Sequence, residues 1–162
     1  MPSAADLDAM PREQARKLLS ACCGASRWVE EMVARRPFRG ERALLASAEE
    51  VWWGLGESDW KEAFTHHPRI GERGNGWSEA EQSGLRAAAE PVRLAFAAVN
   101  REYEARFGGI YIVCASGRSG DELLAVARAR LGNDPETELR IAGGEQLKIT
   151  LLRLHKLLRE DG

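Results

Sequence analysis

Three copies of the pattern S-x-x-E constrain the fold of this chain more than any other feature. They begin at Ser47, Ser78 and Ser119. In such a capping box the serine and the glutamate satisfy each other's backbone amides, so each copy predicts the start of a helix. One stretch alone is β-like, Ile110 to Ala115, and no partner strand is apparent for it. An isolated strand is not stable, so this stretch is predicted to be an extended connector.

These signals predict an all-α, single-domain, multi-helix bundle of about eight helices, with one extended connector near residues 110–116. The 162 residues suit one domain, which at this size buries roughly 70% of the surface of the unfolded chain. The domain is expected to span residues 1–162, with residues 1–10 loose.

Other start and stop signals divide the helices further. Ser26 and Ser58 are predicted to cap two early helices, the second of which ends near Phe64. Pro91 lies within an apolar helical stripe and is expected to kink or split that helix, because proline has no amide to donate. Gly143-Gly144 is expected to break the last helical region.

Charge and cysteine usage exclude several classes of protein. The net charge is −2, with acidic and basic residues interleaved, so the basic stripe typical of nucleic-acid binding is missing. The three cysteines form no C-x-x-C pair, which suits a reducing compartment. The sequence shows neither a signal-peptide pattern nor a run of about 20 apolar residues. We therefore expect a cytoplasmic protein without nucleic-acid or membrane partners.

The segment His66 to Gln82, HHPRIGERGNGWSEAEQ, is too irregular for a helix core, and ordered irregular segments often carry chemistry. Pro68 keeps His67 out of the α region, so the preceding helix is expected to stop with the His67 imidazole at its end. The same residues also fit a structural interpretation, in which His67 has no catalytic role and Ser78 only caps a helix.

Three further interpretations of single residues are weaker or open. A zinc site at His66, His67 and Glu72 has little support, because adjacent histidines point apart and neither an H-E-x-x-H motif nor another spaced ligand follows. A nucleophilic pair of Cys114 with His67 lacks a supporting motif. Arg153 lies between Ile149 and Leu157 on one helix face, so it is expected to be partly buried beside an anion. That anion is either a protein carboxylate or the carboxylate of a substrate.

The motif HPRIGE, followed by Ser78, Glu81 and Gln82 in the spacing S-x-x-E-Q, resembles a family of enzymes. The family comprises the decarboxylases of 2-oxo-4-hydroxy-4-carboxy-5-ureidoimidazoline (OHCU), which act in urate degradation. Further matches are Arg36-Pro37-Phe38, Phe107-Gly108, IVCASGRS from Ile112 to Ser119, and Leu152-Arg153-Leu154. The similarity covers nearly the whole chain.

The resemblance implies a carboxy-lyase that converts OHCU to (S)-allantoin and CO2 without a cofactor or metal, and that forms a homodimer. It also implies that His67 transfers the proton and that Glu81 acts with it. Arg118 lies where family members vary, so no role is carried over to it. The implied substrate-binding residues are Pro68, Ser78, Gln82, Val113, Cys114, Ala115, Ser116, Gly117 and Arg153.

Two classes without this chemistry remain as alternatives. One is a noncatalytic helical interaction module that binds through Trp52 and Trp53. Adjacent tryptophans cannot share one helix face, so one is expected in the core and the other outside it. The second is a helix-turn-helix regulator, against which the near-neutral charge argues.

Overall fold

The structure is a computed structural model, and it describes residues 2–69 and 90–159. Within these ranges the chain is all-α, with no strand and eight helices, as predicted. Ile110 to Ala115 belongs to neither a helix nor a strand, which agrees with the predicted connector. The helices are α1 (Ala4–Ala9), α2 (Arg12–Ser20), α3 (Ser26–Arg35), α4 (Glu41–Trp53), α5 (Glu57–Phe64), α6 (Glu90–Phe107), α7 (Gly120–Arg130) and α8 (Pro135–Arg159).

The chain divides into two compact units. The first contains residues 1–63 and 147–162, and the second contains residues 64–146. In the first unit, Trp28 and Trp52 are fully buried, and the Trp28 indole donates a hydrogen bond to the carbonyl of Ala48 at 3.1 Å. The exposed neighbour Trp53 packs edge-on against Trp60. The predicted division of the tryptophan pair into one core and one outer residue is confirmed.

The core of the second unit is built from α6, α7 and the connector. Its buried aromatic members are Phe96, Tyr103 and Tyr111, and α7 contributes Leu123 and Leu124. The Ser119 capping box is confirmed, since the Ser119 hydroxyl accepts from the Glu122 amide at 3.2 Å and the carboxylate reaches back. The connector therefore leads directly into a firmly capped helix.

Several predicted helix boundaries are wrong, each because another interaction outweighs the local signal. Residues 4–9, expected to be loose, form α1, because Ser3 and Asp6 make a capping box and Leu7 is buried. Ser47 lies inside α4, which starts at Glu41 because its buried stripe begins at Leu44.

Two other serines also do not cap their helices. Ser26 is the first residue of α3, and its amide and hydroxyl both donate to the Glu62 carboxylate, at 2.9 and 2.7 Å. Ser58 lies inside α5, where the Asp59 carboxylate accepts from the Gly56 amide instead.

The predicted break at Gly143-Gly144 does not occur, and α8 runs unbroken for 25 residues. Two glycines cost roughly 2 kcal/mol of helix propensity. Ala142, Glu145, Gln146 and Leu147 flank the pair and are all buried, so tertiary packing outweighs that cost. Pro91 lies in the first described turn of α6. The expected kink near residue 89 falls outside the described residues.

Candidate active site

His67 lies just beyond the end of α5, where the sequence predicts it. Its amide donates to the carbonyl of Phe64 at 3.3 Å, which closes a last turn before Pro68. The side chain of His67 is half-buried, whereas that of His66 is exposed. The two adjacent imidazoles therefore have different surroundings, and His67 is the one held against the protein.

The imidazole of His67 is held by a residue that the sequence analysis missed. Its Nε2 lies 2.6 Å from Oε1 of Gln146, whose side chain is 0% exposed. An amide oxygen only accepts hydrogen bonds, so in this arrangement the His67 Nε2 carries the proton. The sequence signal that could have pointed to Gln146 is its spacing from Arg153, a predicted site residue. Gln146 precedes Arg153 by seven residues, which is two turns of α8.

The neighbouring Glu145 holds the connector. Its Oε1 accepts the Cys114 amide at 3.0 Å, and both residues are buried. The Cys114 amide therefore already donates its hydrogen to a protein carboxylate. Val113 and Ala115 are buried on either side of it.

The connector then turns outward at its end. Ser116 and Gly117 are exposed, and the Arg118 amide donates to the Ala115 carbonyl at 3.1 Å. Gly117 has a φ of +77°, which is the third-residue conformation of a type II turn and suits glycine. The backbone from residue 113 to 117 thus passes from the core to the surface within one turn.

A buried ion pair supports the connector from its other end. The guanidinium of Arg130 donates to the carboxylate of Glu138 and, at 2.7 Å, to the carbonyl of Ile112. The Tyr103 hydroxyl also donates to Glu138. Burial and the Glu138 carboxylate both raise the pKa of the Tyr103 phenol above its usual range. Because the Tyr103 phenol is neutral and the charges of Arg130 and Glu138 are paired with each other, this network serves as a structural anchor for the connector.

Arg153 is half-buried on α8, with buried Ile149 and Leu157 one turn before and after it, as predicted. In its own unit its charge acts on two buried thiols. Burial raises the pKa of Cys22 to about 12 and of Cys23 to about 11, and the positive charge of Arg153 acts in the opposite direction on both pKa values. The two cysteines are therefore buried as neutral thiols, and Arg153 remains a predicted substrate-binding residue.

The remaining predicted site residues, Ser78, Glu81 and Gln82, lie outside the described residues, as does the capping box that they include. Glu72 of the zinc hypothesis lies there too. Across residues 2–69 and 90–159, no group of three or more histidine, cysteine, aspartate or glutamate side chains is arranged to hold a metal ion. None of the described helices has the length and apolarity needed to cross a bilayer.

Comparison with known proteins decides the family. The family model described as OHCU decarboxylase matches residues 8–155, which is most of the chain. This chain belongs to the OHCU decarboxylase family. The family membership that the HPRIGE and S-x-x-E-Q motifs predict is thereby confirmed.

Individual relatives of this OHCU decarboxylase family member agree. The uric acid degradation bifunctional protein TTL of Arabidopsis thaliana is 36% identical over 149 residues, 86% of this chain and 46% of that protein. The 2-oxo-4-hydroxy-4-carboxy-5-ureidoimidazoline decarboxylase of Amia calva is 28% identical over 132 residues, 76% of this chain and 75% of that protein.

A solved structure shares the fold. The crystal structure of OHCU decarboxylase in the presence of (S)-allantoin matches with a TM-score of 0.79 and 34% identity, over 92% of this chain and 99% of that chain. By contrast, this chain spans 46%, 32% and 33% of the lengths of three bifunctional relatives. It therefore corresponds to one part of those longer proteins.

Proposed function

We propose that this chain decarboxylates OHCU to (S)-allantoin and CO2. The observation that carries the proposal is the half-buried His67, fixed through Nε2 by the buried Gln146 within a family-matched HPRIGE motif. An imidazole titrates near neutral pH and suits proton transfer better than any other side chain. The homologous structure with (S)-allantoin and the decarboxylase from Amia calva support the same chemistry.

The reaction needs little more than a proton donor and a positioned substrate. The substrate carries a carboxylate and a hydroxyl on one ring carbon. When the bond to the carboxylate breaks, CO2 leaves and its electron pair moves into the adjacent C=N bond of the ring. The hydroxyl gives up its proton and becomes the carbonyl of allantoin, while His67 supplies the proton that forms the new C–H bond on the neighbouring, ureido-bearing carbon. The substrate provides its own electron sink, so we propose that no cofactor takes part.

Other residues have proposed roles that follow from the resemblance. Glu81 would act on the protonation of His67 or on the substrate carboxyl, and Gln82 would pair with the ureido group, since an amide both donates and accepts. Arg153 would bind an anionic group of the substrate. Pro68, Ser78 and the backbone from Val113 through Cys114, Ala115, Ser116 and Gly117 would line the site. We also propose a homodimer and a cytoplasmic location.

The interaction-module alternative is less well supported. Its proposed binding patch is the Trp52-Trp53 pair, but Trp52 is buried and Trp53, at 40% exposure, is engaged with Trp60. What remains of the proposed binding patch is a single partly exposed ring.

The decisive experiment follows freshly generated OHCU by circular dichroism with and without the protein. We expect one allantoin enantiomer to form with the wild-type protein. His67→Asn should lower the rate about 10²- to 10⁴-fold, the usual contribution of a general acid, with the melting temperature nearly unchanged. His66→Asn is the matched control and should stay close to wild type. A wild-type rate in His67→Asn would refute the assignment.

Glu81 needs its own test, because a capping box explains it equally well. If Glu81 only caps a helix, Glu81→Gln should be harmless, since glutamine also serves at that position. If its charge is needed for catalysis, Glu81→Gln should keep the fold and lose most of the rate. Both quantities are measured on one preparation, and full turnover would return Glu81 to a structural role.

A further inference from the structure

We propose that Gln146 is a positioning residue that fixes His67 as the Nε2–H tautomer, so that Nδ1 is the nitrogen that exchanges the proton with the substrate. The inference rests on the proposed function for its catalytic part. Its structural part, the tautomer, stands on the described residues alone and is measured without substrate.

The first step in the argument is the burial of Gln146. Its side chain is 0% exposed, and a primary amide without hydrogen-bond partners in the protein interior costs about 1–3 kcal/mol. A leucine at this position would add apolar surface to α8 without that cost. The buried amide oxygen of Gln146 lies 2.6 Å from the His67 Nε2. This hydrogen bond gives a reason for a polar residue at a buried position of α8.

The second step is rigidity. Gln146 lies in the interior of α8, which continues without a break through Gly143-Gly144. The preceding residue, Glu145, accepts the Cys114 amide at 3.0 Å. One turn of a single helix therefore holds both the imidazole and the connector, and neither Glu145 nor Gln146 sits on a mobile loop. Sites built on such elements are held more precisely than sites built on loops.

The third step is the chemistry of the imidazole. In a neutral imidazole one ring nitrogen carries a hydrogen and the other carries a lone pair. The hydrogen bond that the protein makes to one of these nitrogens decides which of the two carries the hydrogen. Because Gln146 presents its carbonyl oxygen, Nε2 donates in both the neutral and the cationic ring. The proton gained and lost during turnover is then the one on Nδ1, and Nε2 remains bonded throughout.

Two substitutions separate this role from simple packing. Gln146→Met keeps the length and shape of the side chain but replaces the acceptor oxygen by a weak thioether. Gln146→Glu keeps an oxygen at the same reach and therefore serves as the conservative rescue. Thr150→Val is the matched control, because it also removes a buried polar group from α8 and is not expected to affect His67.

The test is long-range ¹H–¹⁵N NMR on histidine-labelled protein without substrate. The chain has three histidines, so His66→Asn and His155→Asn variants assign the spectrum. We expect the Nε2–H pattern for His67 in the wild type, Gln146→Glu and Thr150→Val. A mixture of tautomers is expected in Gln146→Met. An Nδ1–H wild type would mean that the Gln146 amide is reversed and would overturn the inference.

Kinetics with OHCU complete the test. In Gln146→Met, kcat should fall about tenfold, the effect of one buried hydrogen bond, while KM changes less than about twofold. Gln146→Glu should recover most of kcat. An unchanged kcat in a folded Gln146→Met variant overturns the catalytic part of the inference and leaves the proposed function intact. A wild-type protein that does not turn over OHCU overturns the proposed function, while the tautomer is still decided by NMR.

Discussion

Replacing Glu138 by glutamine should be among the most destabilising single changes in this chain. Glu138 is 1% exposed and Arg130 is 5% exposed. The carboxylate accepts from the Arg130 Nε at 3.1 and 3.0 Å, from the Asn133 side-chain amide at 3.1 Å, and from the Tyr103 hydroxyl. Glutamine keeps the volume and one acceptor oxygen, but it removes the charge that compensates the buried guanidinium.

Breaking a buried ion pair from one side typically costs 3–5 kcal/mol. Glutamine still accepts from Tyr103, and Arg130 keeps its bond to the Ile112 carbonyl, so we expect a loss near the lower end, about 3 kcal/mol. For a domain of this size, that loss corresponds to a fall in melting temperature of roughly 6–12 °C. The double variant Arg130→Met/Glu138→Leu should recover much of it, because two apolar residues leave no unpaired charge.

The assay is urea unfolding at pH 7, followed by circular dichroism. Glu57→Gln is the matched control, since Glu57 pairs with Lys61 at 2.9 Å and both side chains are about 60% exposed. That control should cost about 0.3–0.5 kcal/mol, as exposed helix pairs do. If Glu138→Gln costs no more than Glu57→Gln, the buried pair does not anchor the connector as described.

Two further changes test other parts of the structure. Gly144→Ala should raise the free energy of unfolding by about 0.5–1 kcal/mol, because no atom of the described residues lies within 4 Å of a Cβ built there. A loss of stability in urea unfolding would show that this space is occupied. Cys22 and Cys23 should resist alkylation at pH 8 in the native protein, because burial raises the pKa of each thiol, to about 12 and about 11. The raised pKa values cost no stability below about pH 9, where the thiols are neutral in both states. Stability should fall progressively above pH 9, because the unfolded thiols ionise first. Peptide mapping by mass spectrometry should find both modified only after unfolding, and rapid native modification would contradict the burial.

How far the sequence predicts the structure depends on the range of the interaction involved. The Ser119 capping box involves residues three apart, and it was predicted correctly. The Ser47 box is equally good locally, but the longer buried stripe of α4 starts the helix at Glu41, well before Ser47. At Gly143-Gly144 a correct estimate of propensity was outweighed by packing of the flanking residues.

The candidate site shows the same division. The position of His67 follows from Pro68, which is its neighbour in the chain. Its partner Gln146 is 79 residues away, and no periodicity within either segment relates the two. The resemblance supplied Glu81, Gln82 and Arg153 by motif, but a residue that acts only by holding another side chain leaves no motif to recognise.

The capping of α3 by Glu62 has a consequence for the order in which this protein acquires its structure. The first turn of α3 is completed by a carboxylate that lies 36 residues later in the chain. During synthesis α3 leaves the ribosome well before α5, so its first amides must remain solvated until that later segment arrives. The beginning of α3 should therefore become protected against hydrogen exchange only once α5 has docked, although its own residues are made first.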